Sequence, residues 1–170
     1  FGPWRQRFQG RLAEGVLASV CGSIDARFRS ASFDAAALRS GRVSPTAEGA
    51  ATGRMLVSCG TPLRDQRIEI VDPVTHERCE NDRVGEIWIA GPNVARGYWN
   101  RPDESAATFG AQLRGSDERF LRTGDLGFFA DGELYVAGRI KDLIIIRGKN
   151  HHPQDIEQTV TGSHVDKDGN

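Results

Sequence analysis

The sequence predicts an α+β chain that is mostly antiparallel β: a small, distorted, barrel-like unit of short strands with few helices. Two observations predict it. From Met55 onward, β-branched and aromatic residues alternate or cluster in short runs, as in Arg67-Ile-Glu-Ile-Val71 and Gly85-Glu-Ile-Trp-Ile-Ala90. Gly, Pro and Asp separate those runs, and Asp131-Gly132 has the form that closes a two-residue hairpin.

The first 53 residues have a different character, poor in β-branched residues and rich in Ala, Arg, Gly and Ser. Leu12 to Val20 is expected to form a short helix, and Phe33 to Leu38 another, with Ser32 or Asp34 near its start. The stretch from Gly41 to Gly53 reads as a loop. Strands are then expected at Met55–Ser58, Arg67–Val71 (ended by Asp72-Pro73) and Gly85–Ala90 (ended by Gly91-Pro92). His76 to Arg83 is a polar turn between the last two. Pro102 to Phe109 is a helix, with Pro at its start and Asp103 and Glu104 in the first turn, where the helix dipole favours negative charge. Phe120–Thr123, Leu126–Phe129, Glu133–Ala137 and Leu143–Arg147 are further strands, and Pro153 to Val160 opens a helix with Asp155 and Glu157 early. Trp88 and Phe128 or Phe129 should supply core. The tail, residues 161–170, is polar, lacks apolar periodicity and is expected to be disordered.

Composition narrows the function classes. Hydrophobic residues make up 38% and charged residues 26%, the balance of a soluble globular protein. The formal net charge of −1 leaves no electrostatic footprint for nucleic acid or an anionic membrane; the seven arginines within the first 42 residues read as solvated surface. The longest apolar run, Leu143 to Ile146, is far too short to cross a bilayer. Cys21, Cys59 and Cys79 stand far apart without ligand spacing, so they are expected to be reduced thiols in a cytoplasmic protein. The start, Phe1-Gly2-Pro3-Trp4, is neither a secretory leader nor an initiator Met, and the chain reads as an internal piece of something longer.

Two clusters carry chemistry. In Leu121-Arg122-Thr123-Gly124-Asp125, a carboxylate could accept hydrogen bonds from the cis hydroxyls of a ribose, and Gly124 would let the backbone come close to the sugar. The bland alternative is an Asp that caps its own turn. In Gly138-Arg139-Ile140-Lys141-Asp142, Arg139 offers a planar, permanent cation suited to a ribose oxygen or a phosphate; the alternative is a surface hairpin of mixed charge. His151 and His152, as adjacent residues, are poorly placed to bind one zinc ion.

Taken together and in order, these clusters resemble the adenylate-forming (AMP-binding) ligase superfamily, which includes acyl-CoA synthetases, peptide-adenylating domains and luciferases. Gly85-Glu-Ile-Trp-Ile-Ala-Gly-Pro-Asn-Val-Ala-Arg-Gly-Tyr-Trp-Asn100 is similar to the motif that precedes Thr-Gly-Asp in that family, and Pro102–Phe109 matches the segment between them. Arg147-Gly-Lys-Asn-His-His-Pro-Gln-Asp-Ile-Glu157 resembles the fatty acyl-AMP ligase branch. So does the long stretch between Glu14 and Cys59-Gly-Thr-Pro62, where that branch carries an insertion associated with not using CoA.

The resemblance implies a division of the chain. Residues 1–139 would be the C-terminal part of the large AMP-binding domain, with 1–53 containing the insertion and 54–139 forming the barrel. Residues 140–142 would be the hinge, and 143–160 the start of the small C-terminal domain. It implies a two-step chemistry in which ATP and a fatty acid give acyl-AMP and pyrophosphate. The acyl group then passes to the phosphopantetheine thiol of an acyl carrier protein. By the same resemblance Asp125 would hold the ribose hydroxyls, Arg139 would contact the same nucleotide, Lys141 would be the pivot between domains, and Glu14 would lie near Mg²⁺. The chain departs from the pattern before Leu12-Ala-Glu14: Gly10-Arg11 stand where the family has an aromatic residue and Gly. It also contains no Ser/Thr/Gly-rich phosphate loop ending in Lys, and no counterpart of the family's C-terminal catalytic Lys. The expected reading is therefore a ligase fragment that is inactive alone. The alternative is a non-catalytic descendant that binds nucleotide or a carrier protein, ahead of a purely structural β module.

Overall fold

A computed structural model describes residues 20–21, 29–146 and 149–151. The expected helix over residues 12–19, Glu14, the expected helix at 153–160 and the tail at 161–170 lie outside the described residues. Val20, read from the sequence as a helix end, instead begins a two-residue strand, β1 (Val20–Cys21).

The described chain is a curled antiparallel sheet with two short helices. Its strands are β2 (Ser30–Asp34), β3 (Pro45–Thr46), β4 (Gly53–Pro62), β5 (Arg67–Val71), β6 (Gly85–Ala90), β7 (Ala111–Gln112), β8 (Arg119–Ala130) and β9 (Glu133–Arg139). They pair in the order β3-β2-β4-β9-β8-β6-β5, with β1 on β4 and β7 on β8. A bridge between Arg42 and Arg83, with Val43 N–H donating to Asp82 C=O and Val84 N–H to Gly41 C=O, ties the segment after the first helix to the approach to β6. β10 (Ile144–Ile146) and β11 (Lys149–His151) form a separate hairpin.

The first helix, α1 (Ala35–Arg39), is shorter than the sequence suggested, and Phe33 lies in β2 rather than in a helix. Asp34 decides the boundary: its carboxylate accepts the Ala37 N–H at 2.8 Å as N-cap, so residues before it remain extended and pair with β4. α2 (Pro102–Phe109) forms as expected, with Pro at its start and Asp103 and Glu104 in its first turn. Ser105 fastens it to the preceding loop by accepting the Tyr98 N–H at 2.8 Å. Asp131 and Gly132 both have positive φ (50° and 78°) and join β8 to β9 as a two-residue hairpin loop.

The sequence divides Phe120–Thr123 from Leu126–Phe129, but the two form one strand. β8 runs unbroken from Arg119 to Ala130 because a bulge opposite β6 absorbs the residues between them, and pairing to β9 takes over from Asp125. That bulge also bends the sheet around its core.

Burial explains the curl. β6 is covered on both faces: Ile87 and Ile89 pack with Ile68 and Leu134, while Trp88 packs with Val71, Leu113 and Phe120 on the other. A third group, Phe33, Leu38, Leu56, Phe128 and Tyr135, joins α1 to the sheet, with the Phe33 and Phe128 rings edge to face at 4.8 Å. Trp88 and Phe128 are thus core, as expected, and Phe129 is partly buried against the Ile87–Ile89 group.

Candidate functional site

The Thr-Gly-Asp cluster lies where β6 and β8 fall out of step. One residue, Ile87, separates Glu86 from Trp88 on β6, but Thr123, Gly124 and Asp125 separate their partners Arg122 and Leu126 on β8. The excess is accommodated by Gly124 at φ +71°, which a residue with a Cβ adopts only under strain. An added Cβ there would meet nothing within 4 Å, so the bulge faces open space and the need for Gly is conformational. Thr123 stiffens the segment at both ends of its hydroxyl: Oγ1 donates to the Ile87 carbonyl at 2.7 Å and accepts the Asp125 N–H at 3.0 Å.

Asp125 and Arg139 are brought together. They are direct partners across β8 and β9, and Arg139 Nε donates to Asp125 Oδ1 at 2.6 Å. The two side chains differ in exposure, 5% for Asp125 and 34% for Arg139. Burial pushes the Asp125 carboxyl above its usual range, opposed by the hydrogen bond and charge of Arg139 and the charge of Lys141. A carboxylate offers about four lone-pair sites, so one guanidinium contact leaves Asp125 able to accept further donors.

Lys141 lies just beyond this pair, exposed, as expected of the hinge stretch. The sequence reading placed Ile140–Asp142 outside any helix; the structure corrects this to a single 3₁₀ turn, in which Leu143 N–H donates to Ile140 C=O at 3.3 Å. Such one-turn pieces are common connectors between elements, and this one turns the chain from β9 toward β10. Glu14, expected near Mg²⁺, lies outside the described residues. Among the described residues no group of three His, Cys, Asp or Glu could hold a metal ion. Mg²⁺ in phosphate chemistry needs only one or two carboxylates besides the phosphates, so no step is assigned to it from these residues.

Sequence reasoning missed Glu86 and Arg122. Glu86 is buried, with its side chain 2% exposed, and accepts from Arg122 Nη2 at 2.8 Å, Arg122 Nε at 3.0 Å, Trp88 Nε1 at 2.9 Å and Gly124 N–H at 3.1 Å. The signal was available: a lone acid alternating with Trp in an otherwise apolar strand needs a buried partner. The chemistry the arrangement allows is recognition of a small polyhydroxyl group by an acceptor beside a cation, at a bulge between paired strands.

Known proteins give this geometry its context. Residues 40–99 match the AMP-binding enzyme family. A medium-chain-fatty-acid–acyl-carrier-protein ligase of Moorena producens is 50% identical over 157 residues, 90% of this chain and 26% of the relative. A long-chain-fatty-acid–AMP ligase of Mycobacterium tuberculosis is 47% identical over 133 residues, 75% of this chain and 22% of the relative. Among solved structures, the fatty acyl-adenylate ligase of Legionella pneumophila in complex with acyl adenylate and pyrophosphate superposes with a TM-score of 0.63 at 43% identity. That match covers 79% of this chain and 23% of the other. The chain thus spans about a quarter of the length of the relatives it matches. Identity at this level along most of the described sheet, carried by the same curled fold, shows that the chain belongs to the AMP-binding, adenylate-forming ligases, in their fatty acyl-AMP ligase branch.

Proposed function

We propose that this chain is the nucleotide-gripping wall and hinge of a fatty acyl-AMP ligase. The whole protein joins ATP and a fatty acid into acyl-AMP with release of pyrophosphate. It then transfers the acyl group to the phosphopantetheine thiol of an acyl carrier protein. The observation that carries the reading is the Asp125–Arg139 pair beside the β8 bulge, within a chain 50% identical over 157 residues to a medium-chain-fatty-acid–acyl-carrier-protein ligase. In this reading the Asp125 carboxylate accepts both ribose hydroxyls, Arg139 orients that carboxylate and adds positive charge beside the nucleotide, and Lys141 is the pivot for the domain rotation that separates adenylation from transfer. Glu14 would serve Mg²⁺ on the phosphates. A cytoplasmic site of action fits an ATP-consuming reaction. No described helix is long and apolar enough to cross a membrane.

The 170-residue chain grips only the ribose end of ATP, so it is not expected to catalyse adenylation alone. The test is AMP binding to the chain by NMR titration, with Asp125→Asn alongside. Weak binding that requires the intact cis-diol and is lost in the variant supports the reading. Equal binding of AMP and 2′-deoxy-AMP overturns it.

A further inference from the structure

We propose that Glu86 is a positioning residue of the nucleotide site: its carboxylate, clamped by Arg122 and Trp88, holds the Gly124 amide and so fixes the bulge that presents Asp125. The inference rests on the reading that Asp125 binds ribose. It adds a residue on another strand that touches no nucleotide in this scheme.

The hydrogen-bond chemistry singles out a carboxylate. Four donors converge on Glu86: two N–H groups of Arg122 and the Trp88 indole on Oε2, and the Gly124 N–H on Oε1. A carboxylate is acceptor-only, whereas Gln would bring an NH₂ group and set donors against donors. Arg122 cannot easily release its partner, because its guanidinium also lies 5.6 Å from the centroid of the Trp88 ring, which is fully buried. Trp88 is held in turn by the His76 ring, edge to face at 5.2 Å. Glu86 is thus anchored on one oxygen to the core and on the other to the backbone between Thr123 and Asp125.

The bulge needs that anchor. Gly124 is intrinsically the most permissive residue in the segment, and its surroundings on the outer side are open. Thr123 fixes the β6 end through Ile87, and Arg139 fixes the Asp125 side chain. The Gly124 N–H bond to Glu86 constrains the backbone at the left-handed residue itself. Loosening it lets Asp125 sample orientations in which its two oxygens no longer meet a cis-diol together.

The experiment compares AMP with 2′-deoxy-AMP on the full 170-residue chain, by chemical-shift titration of the ¹⁵N-labelled protein. The chain should prefer AMP by roughly tenfold, the scale of a charged hydrogen bond, and Asp125→Asn should abolish the preference. Glu86→Gln should bring the preference close to unity while leaving 2′-deoxy-AMP affinity unchanged, and should shift the Gly124 amide resonance. Arg122→Lys, which keeps a cation on Glu86 but removes the fork, should reduce the preference several-fold and decides the matter should Glu86→Gln not fold. Retention of the full preference in Glu86→Gln or, where that fails to fold, in Arg122→Lys overturns the positioning role while the nucleotide reading stands. An equal fall in affinity for both nucleotides overturns it too, by making Glu86 scaffold only. A preference that survives Asp125→Asn removes the nucleotide reading and this inference together.

Discussion

On its β6 flank, β8 meets a carboxylate whose hydrogen bonding is saturated; on its β9 flank it carries one that is not. Glu86 accepts four bonds from three residues and is closed off from solvent. Asp125 is nearly as buried but accepts from one arginine, itself a third exposed. Both are arginine-paired acids within one small sheet, and pairing alone does not distinguish them. Acceptor capacity does: the filled carboxylate fixes a backbone, and the under-filled one has lone pairs to spare, as the proposed ribose contact requires.

The largest effect expected from that contrast is catalytic. On the proposed reading the Asp125 flank grips a nucleotide and does no chemistry by itself. Adenylation needs the triphosphate held in line with a carboxylate, and loss of one preorganised electrostatic group costs on the order of 10²–10³ in rate. The chain lacks both the phosphate loop and the C-terminal lysine of the family pattern, so pyrophosphate release with Mg-ATP and a fatty acid should fall at least about 10⁴-fold below an intact ligase. Turnover near that of an intact enzyme, abolished by Asp125→Ala, would mean that the Asp125 flank is a working site.

Next in size is stability. Glu86→Gln sets an NH₂ group against one of the donors that converge on a carboxylate 2% exposed, and leaving a buried donor without its acceptor costs about 1–3 kcal/mol. Asp125→Asn leaves Arg139 able to turn to water, so its cost should stay below about 1 kcal/mol. Urea unfolding of both variants reads the difference, and equal costs would erase the distinction between the flanks.

The proposed hinge gives a smaller, differential effect. Lys141 sits in one 3₁₀ turn, where Leu143 N–H donates to Ile140 C=O at 3.3 Å. In an intact ligase carrying this segment, Lys141→Pro should slow acyl transfer by up to about a hundredfold, the cost of misplacing reacting groups, and slow adenylation much less. Measuring the half-reactions separately decides it; equal losses argue against a pivot.

Sequence patterns revealed what was local. The Asp131-Gly132 hairpin, the Pro102–Phe109 helix and the buried Trp88 follow from turn chemistry, capping and alternation, each contained in a few residues. Asp125 and Arg139 were singled out one by one from motif order, but their contact depends on a bulged register between two strands. The extent of β2 and α1 turned on one capping hydrogen bond, which the Asp34 carboxylate accepts from the Ala37 N–H. Glu86 was hidden for the same kind of reason: its partners, Arg122 and Gly124, are 36 and 38 residues away along the chain. Long-range acceptor counts have no local sequence signature beyond a charge in an apolar strand.

The smallest expected effect is in the pH dependence that Asp125 contributes. Burial is the main influence on Asp125 and raises its carboxyl above the ordinary value, with Arg139 opposing. A raised value in the fold means that the native state binds the proton more tightly than the unfolded chain does. The contribution of Asp125 to stability is therefore fully present below the unfolded carboxyl range, near about 4, and is lost as pH rises through the folded value. Asn cannot ionise, so the stability of the unaltered chain minus that of Asp125→Asn should be most favourable at acid pH and decline toward neutrality. The change should stay within about 1 kcal/mol, since the guanidinium cancels part of the burial cost. Urea midpoints for both proteins between pH 4 and 7 measure it. A difference that grows with pH instead would mean that Arg139 outweighs burial. Asp125 would then be a structural partner of the same kind as Glu86, and the contrast between the two flanks of β8 would fail at the residue on which the nucleotide reading depends.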